Sequence, residues 1–382
     1  MRPALKPGLV AVWRNRDTVQ IGIDPRRAIA LTGMRGAAGL LRLLDGSRDR
    51  HQVLAAAGDL GMDAGIADRV LTLLAAAGAL DDCPAGGTPA AGTRAAGTRA
   101  RLAPELATTS LAHRDADGGA ATLARRQAAR VRVHGASRTG LWIAGLLSAA
   151  GVGLVLSTGP AAPRPGPAGA RGTRPANPGS AGAATPPPHG RRAPAPGRTG
   201  NVTGGPGAAT GRPGTATGKE GTTTSRPGIV AGPGSRPRRR SDLVILADSH
   251  GRELPGALVG RMVPHLATSA SEAIGVVGPL VLPGRSACLR CLDLARAERD
   301  PAWPLILAQL AGQATTDPLA CDTVLATMVA AQATAQALAF LDQGAEAAAA
   351  VTNGTLELVL PDWQWRRRSW QPHPRCGCQH QA

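Results

Sequence analysis

Hydrophobic and polar positions along the chain fall into three regimes. In the first, residues 1–83, the runs LVAVWR (9–14), TVQIGI (18–23) and RAIALTG (27–33) are β-prone and predict three short strands, the last closed by Gly33. From Ala37 the period lengthens. The stretch AAGLLRLLDGSRDRHQVLAAAGDLG predicts a helix, a turn at Asp45-Gly46-Ser47 and a second helix. A third helix is expected after Asp63, a candidate N-cap, with Ile66, Val70, Leu73 and Leu74 at helical spacing and Gly78 as its stop. Three strands followed by three helices make a winged-helix (α+β) pattern. A DNA-binding regulator is one use of that pattern, but the third helix carries a single base, Arg69, which is poor provision for phosphate contacts. Residues 84–128 read as an Ala/Gly/Thr-rich connector containing the small duplication AAGTRAAGTRA.

With that connector as the second regime, the third begins at Ala129. RVRVHGASRTGLWIAGLLSAAGVGLVLS (130–157) predicts strand, glycine-rich turn, helix and strand, a βαβ unit. DLVILADSH (242–250) is a buried-type strand ending in Asp248, residues 264–284 add strand material, 322–342 form a long helix and 354–370 supply late strands. Strands alternating with helices predict an open α/β, Rossmann-like domain over 129–382. It is interrupted at 157–240, where 19 glycines and 16 prolines leave no apolar rhythm, so a disordered insertion is expected.

Charge and composition change this picture in two places. The formal net charge is +17, but between Ser157 and Arg240 there are 13 Arg and Lys against one acid, Glu220. Most of the charge therefore belongs to the insertion rather than to a folded basic face, and no nucleic-acid partner is expected. With no tyrosine and one phenylalanine, the cores must be aliphatic. Six cysteines are too few for a disulfide-stapled secreted fold, and the first residues, MRPALKPGLVAVWRNRD, hold no signal-like apolar run. A reducing, cytoplasmic setting is expected, where clustered cysteines favour metal over disulfide. Residues 139–163 carry no charge, enough length to mimic a membrane span, but a buried helix followed by a buried strand explains them equally well, and no membrane partner is expected.

The chemistry concentrates in four cysteines. Cys288 and Cys291 form a C-x-x-C after the Pro283-Gly284 turn, and Cys376 and Cys378 form a C-x-C near the end of the chain. Two such pairs brought together supply four thiolates to one zinc ion; with every position filled, such a site is structural. The alternative is four unligated thiols, and His373 and His380 are substitute ligands. GASRTG (135–140) keeps only the first and last glycines, Gly135 and Gly140, of a dinucleotide-type turn, with Ser137 where a middle glycine would stand. Asp248 ends a strand, where α/β proteins place chemistry, though a cap for the turn at His250-Gly251 is the plainer reading. Trp363, Trp365 and Arg367 fall on one face of a late strand, read as a solvated edge. Cys321, beside Asp322, reads as a buried thiol.

GVVGPLVLPGRSACLRC (275–291) resembles the stretch leading into the first zinc cysteines of ThiF-like proteins, relatives of ubiquitin-activating enzymes. The order of βαβ unit, strand-end Asp, this stretch, long helix and second cysteine pair is also similar to theirs. Residues 1–83, with LDGSRD and LLAAAGALDD, resemble the winged-helix leader-recognition domain of peptide-modifying systems. Together they resemble the ThiF-like proteins grouped with azole-forming bacteriocin cyclodehydratases. The resemblance implies that the N-terminal domain binds a precursor-peptide leader as an added strand, at Arg27, Ala28, Ile29, Ala30 and Leu31 and the third helix. It implies a docking role toward a separate YcaO-type cyclodehydratase, and a homodimer is left open. Adenylating members hold ATP with an intact glycine loop, an acid after the second strand, and Arg, Asn and Lys in the next segment. Here Ser137 interrupts the loop, Ser157 stands where the acid is expected, and the insertion replaces the next segment, so a degenerate ATP site and a non-catalytic scaffold are expected. A working adenylyltransferase that activates a peptide or carrier C-terminus is the competing reading.

Overall fold

The computed structural model describes residues 1–34, 38–84, 93–157, 240–248, 253–311 and 321–379. The expected insertion, His250-Gly251 and His380 lie outside them, apart from Ser157 and Arg240 at the insertion's ends.

Three of the N-terminal strands form where the β-prone runs stand, and a further one precedes them. β1 (Pro3–Leu5) is followed by β2 (Ala11–Trp13), β3 (Val19–Ile21) and β4 (Ile29–Leu31), and the last three make an antiparallel sheet in the order β2-β3-β4. The helices follow as α1 (Ala38–Leu43), α2 (Arg50–Asp59) and α3 (Ala64–Ala76). Asp49 and Gln52 close a capping box on α2, and the Asp63 carboxylate accepts from the Ile66 N–H at 3.0 Å to start α3. The buried stripe of α3 is Ala67, Val70, Leu71 and Leu74, not the expected set: Ile66 and Leu73 face outward, because a second i, i+3, i+4, i+7 series one position away fits the core.

One pairing was not anticipated. β5 (Leu80–Asp82) returns to lie antiparallel to β1, with Pro3 opposite Asp82. Residues 84–128 are also more than a connector, since they contain α4 (Thr93–His113) and α5 (Ala120–Ala128). The Lys6 ammonium, 1% exposed, is held by Asp81 Oδ1 at 2.6 Å, by the Ser110 hydroxyl of α4 and by the Asp115 carbonyl. Arg126 on α5 forms a fork with Asp342 at 2.9 and 2.7 Å and reaches Glu105 on α4 at 3.0 Å. Buried charges persist only when paired and hydrogen-bonded, and these two are.

The remaining elements build a mixed sheet of seven strands in the order β12-β11-β10-β9-β8-β6-β7. In chain order they are β6 (Arg130–His134), α6 (Arg138–Ala149), β7 (Leu154–Ser157), β8 (Leu243–Ala247), α7 (Glu253–Gly260), β9 (His265–Ser271), β10 (Ile274–Val281), α8 (Leu289–Ala297), α9 (Trp303–Ala311), α10 (Thr323–Gln343), β11 (Gly354–Val359) and β12 (Gln364–Ser369). Strands β7, β6, β8 and β9 run parallel, and β9 to β12 continue as antiparallel neighbours. Within the uncharged stretch the described residues, 139–157, enter the fold as α6 and β7, with Ile143 and Leu147 fully buried. α10 lays Leu325, Val329, Ala330 and Ala333 on the sheet, all 0% exposed. Each large apolar side chain buried this way contributes about 1.5–3 kcal/mol. The approach is close: a Cβ added to Gly275 on β10 would stand 2.4 Å from the Val329 Cγ2. Among the described residues α10 is also the one helix long and apolar enough to cross a membrane, and it is the central helix of this core. On the opposite face α7 and α8 cover Val244 and Leu246 of β8.

Candidate functional site

The cysteine pairs meet between α8 and the C-terminal segment. Cys288 is the N-cap of α8 and Cys291 lies in its first turn, so one helical turn brings both thiols to the same side. After β12 the chain passes the buried Trp370 and turns at Gly377, whose positive φ of 72° lets Cys376 and Cys378 face the same point. The Sγ separations are 3.8 Å for Cys288–Cys291, 3.4 Å for Cys288–Cys376 and 3.5 Å for Cys291–Cys378, and all four sulfurs lie within 4.8 Å of one another. Four thiolates about 2.3 Å from one tetrahedral ion stand about 3.8 Å apart, whereas a disulfide needs about 2.0 Å. The four cysteines can hold a metal ion.

The electrostatics agree. Packed against one another without a cation, these thiols cannot all ionise. The hydrogen bond to Cys291 and burial push Cys288 up, and burial pushes Cys378 up to about 12. Cys291 is held at about 4 by its bond from Cys288 and by further bonds that include the His373 backbone. A dication reverses that competition by stabilising every thiolate at once.

The support around the pairs was not legible beforehand. Asn353 joins the two halves: its Oδ1 accepts from the Ala287 N–H at 2.7 Å and its carbonyl accepts from the Trp370 N–H at 3.0 Å. Ser286 Oγ accepts from the Leu282 N–H at 2.7 Å and fixes the turn before Cys288. Trp370 donates to Thr355 Oγ1 at 3.0 Å while Arg296 and Arg368 lie over its ring at 5.4 and 5.6 Å. The His373 ring is not one of the four-sulfur set. Its Nε2 lies 2.9 Å from Glu298 Oε1, and its Nδ1 accepts from the Arg375 N–H. Of the late-strand trio, Trp363 precedes β12, Trp365 packs on the core and Arg367 is exposed on the edge strand. Cys321 is half-buried rather than buried, one residue before Asp322, the N-cap of α10.

Gly135, Gly140 and Asp248 converge at the ends of β6 and β8. Gly135 sits at φ 134°, and a Cβ there would lie 2.2 Å from the Ala247 carbonyl, so only glycine fits. Gly140 packs against the Gly135 carbonyl. Ser137 caps α6 by accepting from the Gly140 N–H at 3.2 Å, and it donates to Asp248 Oδ2 at 2.5 Å. The other oxygen, Asp248 Oδ1, accepts from the Ala270 N–H at 2.7 Å. The sequence showed a missing glycine here. The fold shows a side chain that ties the turn to Asp248.

On the N-terminal sheet β4 is an edge, with no strand beyond it among the described residues. Of the five expected peptide-binding residues, Ile29, Ala30 and Leu31 form the strand, while Arg27 and Ala28 lie in a turn closed on the Asp24 carbonyl. The Gly22 N–H bonds to the Val10 carbonyl and the Arg14 N–H to the Thr18 carbonyl, so Gln20 is hydrogen-bonded to β2 and Val19 and Ile21 turn to β4. Opposite Gln20, the Ala30 N–H and C=O therefore point out from the open edge.

No family model matches the chain. No curated protein matches it either. Solved structures do. The heterocyclase TruD superposes with a TM-score of 0.54 at 14% identity, covering 99% of this chain and 42% of that one. A heterocyclase in complex with substrate and cofactor gives 0.54 at 11%, covering 97% and 38%. E. coli MccB with MccA-N7isoASN gives 0.56 at 10%, covering 99% of both. The chain has the fold of MccB and of the heterocyclase TruD. The chain spans about two fifths of the heterocyclases and the whole length of MccB.

Proposed function

We propose that this chain is a leader-binding, docking component of an azole-forming peptide-maturation system. The open β4 edge carries the reading: Ala30 presents an N–H and C=O that meet no strand among the described residues, and to these an extended leader would add as a strand, with backbone bonds giving affinity. MccB, of the same fold, has been solved with MccA-N7isoASN and with N-formylated MccA. The heterocyclases are more than twice as long as this chain, and a separate YcaO-type enzyme would supply what they carry in addition. In this reading Cys288, Cys291, Cys376 and Cys378 hold a structural zinc, which pins the C-terminal segment to α8 and leaves no coordination position for substrate. Asp248 and Ser137 serve each other rather than a nucleotide.

The test is binding of a fluorescein-labelled leader segment, followed by anisotropy. Ala30→Pro removes the outward N–H and spares the bonds of Ile29 and Leu31 to β3, so it should weaken binding at least about tenfold without unfolding the chain. Equal binding by both proteins would refute the β4 site. The competing adenylyltransferase reading draws on Asp248 at a strand end. ATP–pyrophosphate exchange by the wild type, lost on Asp248→Ala, would replace the scaffold with an enzyme.

A further inference from the structure

β6 is a central strand of a parallel stretch of sheet, where both faces are ordinarily covered and the sequence runs apolar throughout. Here it reads Arg-Val-Arg-Val-His. Val131 and Val133 are 0% exposed on the α6 and α10 face, while Arg132 is exposed on the other. On that second face, beside α7, is a groove of about 440 Å³. Arg132, His134, Arg240 and Arg261 line it, above an apolar floor that includes Val244 and Leu258. No carboxylate lines it among the described residues. Asp242, two residues from Arg240, is turned away and accepts from the Arg130 N–H at 2.7 Å. Among the described residues Arg240 donates to the Arg261 carbonyl, at 3.4 Å. The groove shares no residue with the Gly135–Gly140 turn or Asp248.

Three guanidinium groups without a counter-ion among the described residues, in a cavity of small-molecule size, form a receptor for phosphate, since Arg forks match phosphate oxygens two at a time. The apolar floor suits the body of an organic phosphate. The geometry points to a second ligand site on this chain, taking a phosphate-bearing small molecule of nucleotide size between β6, α7 and the start of β8. It is independent of the leader-binding reading, whose assay uses a different domain face and a different probe.

The experiment is isothermal titration of the full chain with ATP and, separately, with pyrophosphate. Wild type should bind, and Arg132→Gln and Arg261→Gln should each weaken binding at least about tenfold, the cost of a lost charge-assisted hydrogen bond. Both side chains are exposed, so the melting temperature should not move. Binding of both probes would show that phosphate alone is read, and binding of ATP alone that the nucleoside body is also held. No heat from either probe at millimolar concentration would overturn the site. So would binding that survives the double substitution, which would assign the affinity to the arginine-rich stretch 157–240 instead.

Discussion

Cys288→Ser removes one of four sulfurs from a centre that closes a span of 88 residues between Cys288 and Cys376. In the chain-entropy treatment of a cross-link, a loop of that length restrains the unfolded chain by about 4.5 kcal/mol at 25 °C. A metal bridge present only in the folded state contributes its binding free energy instead, and for four thiolates that is larger, on the order of 10 kcal/mol. The lower figure is already a substantial fraction of the roughly 5–15 kcal/mol that holds a domain folded. At about 2–4 °C per kcal/mol, metal loss should lower the melting temperature by at least about 10 °C. The effect should centre on Trp370, buried against the cysteines. The assay is metal quantification by mass spectrometry beside calorimetry, on wild type, Cys288→Ser and Cys376→Ser, each with and without a zinc chelator. One zinc per wild-type chain is expected, with metal and stability lost together in both variants. A wild type that purifies without metal, melts cooperatively and ignores the chelator would refute the argument. So would full metal content in both variants.

Two further outcomes test the packing. Lys6→Met leaves Asp81 buried without its ion pair and should cost about 3–5 kcal/mol in urea denaturation, with Lys6→Met/Asp81→Leu recovering part of the loss. Gly275→Ala places a Cβ 2.4 Å from Val329 Cγ2 and should destabilise by about 1–3 kcal/mol, and Val329→Ala in the same chain should relieve it.

Local signals were legible in the sequence by itself. Strand and helix periods, the Asp63 cap and the βαβ order depend on neighbours within a turn or two, and each appears in the fold. Residue type and spacing also singled out the four cysteines, because only a few side chains hold soft metals. Contacts that close long stretches of chain were decided by the tertiary structure. Nothing near Lys6 announces Asp81 or Ser110, and nothing in the Ala/Gly/Thr-rich segment announces that α4 supplies a partner. Ser137 reads in sequence as a defect because the pattern records which glycine is missing, not which side chain the new hydroxyl will meet. Val70 and Leu74 of the expected α3 stripe are buried, but Ala67 and Leu71 replace Ile66 and Leu73, because two overlapping apolar series fit the same helix and only its packing into the N-terminal core chooses between them. Short-range periodicity is written residue by residue. The choice among compatible partners belongs to the assembled core, where burial makes one arrangement far more stable than the rest.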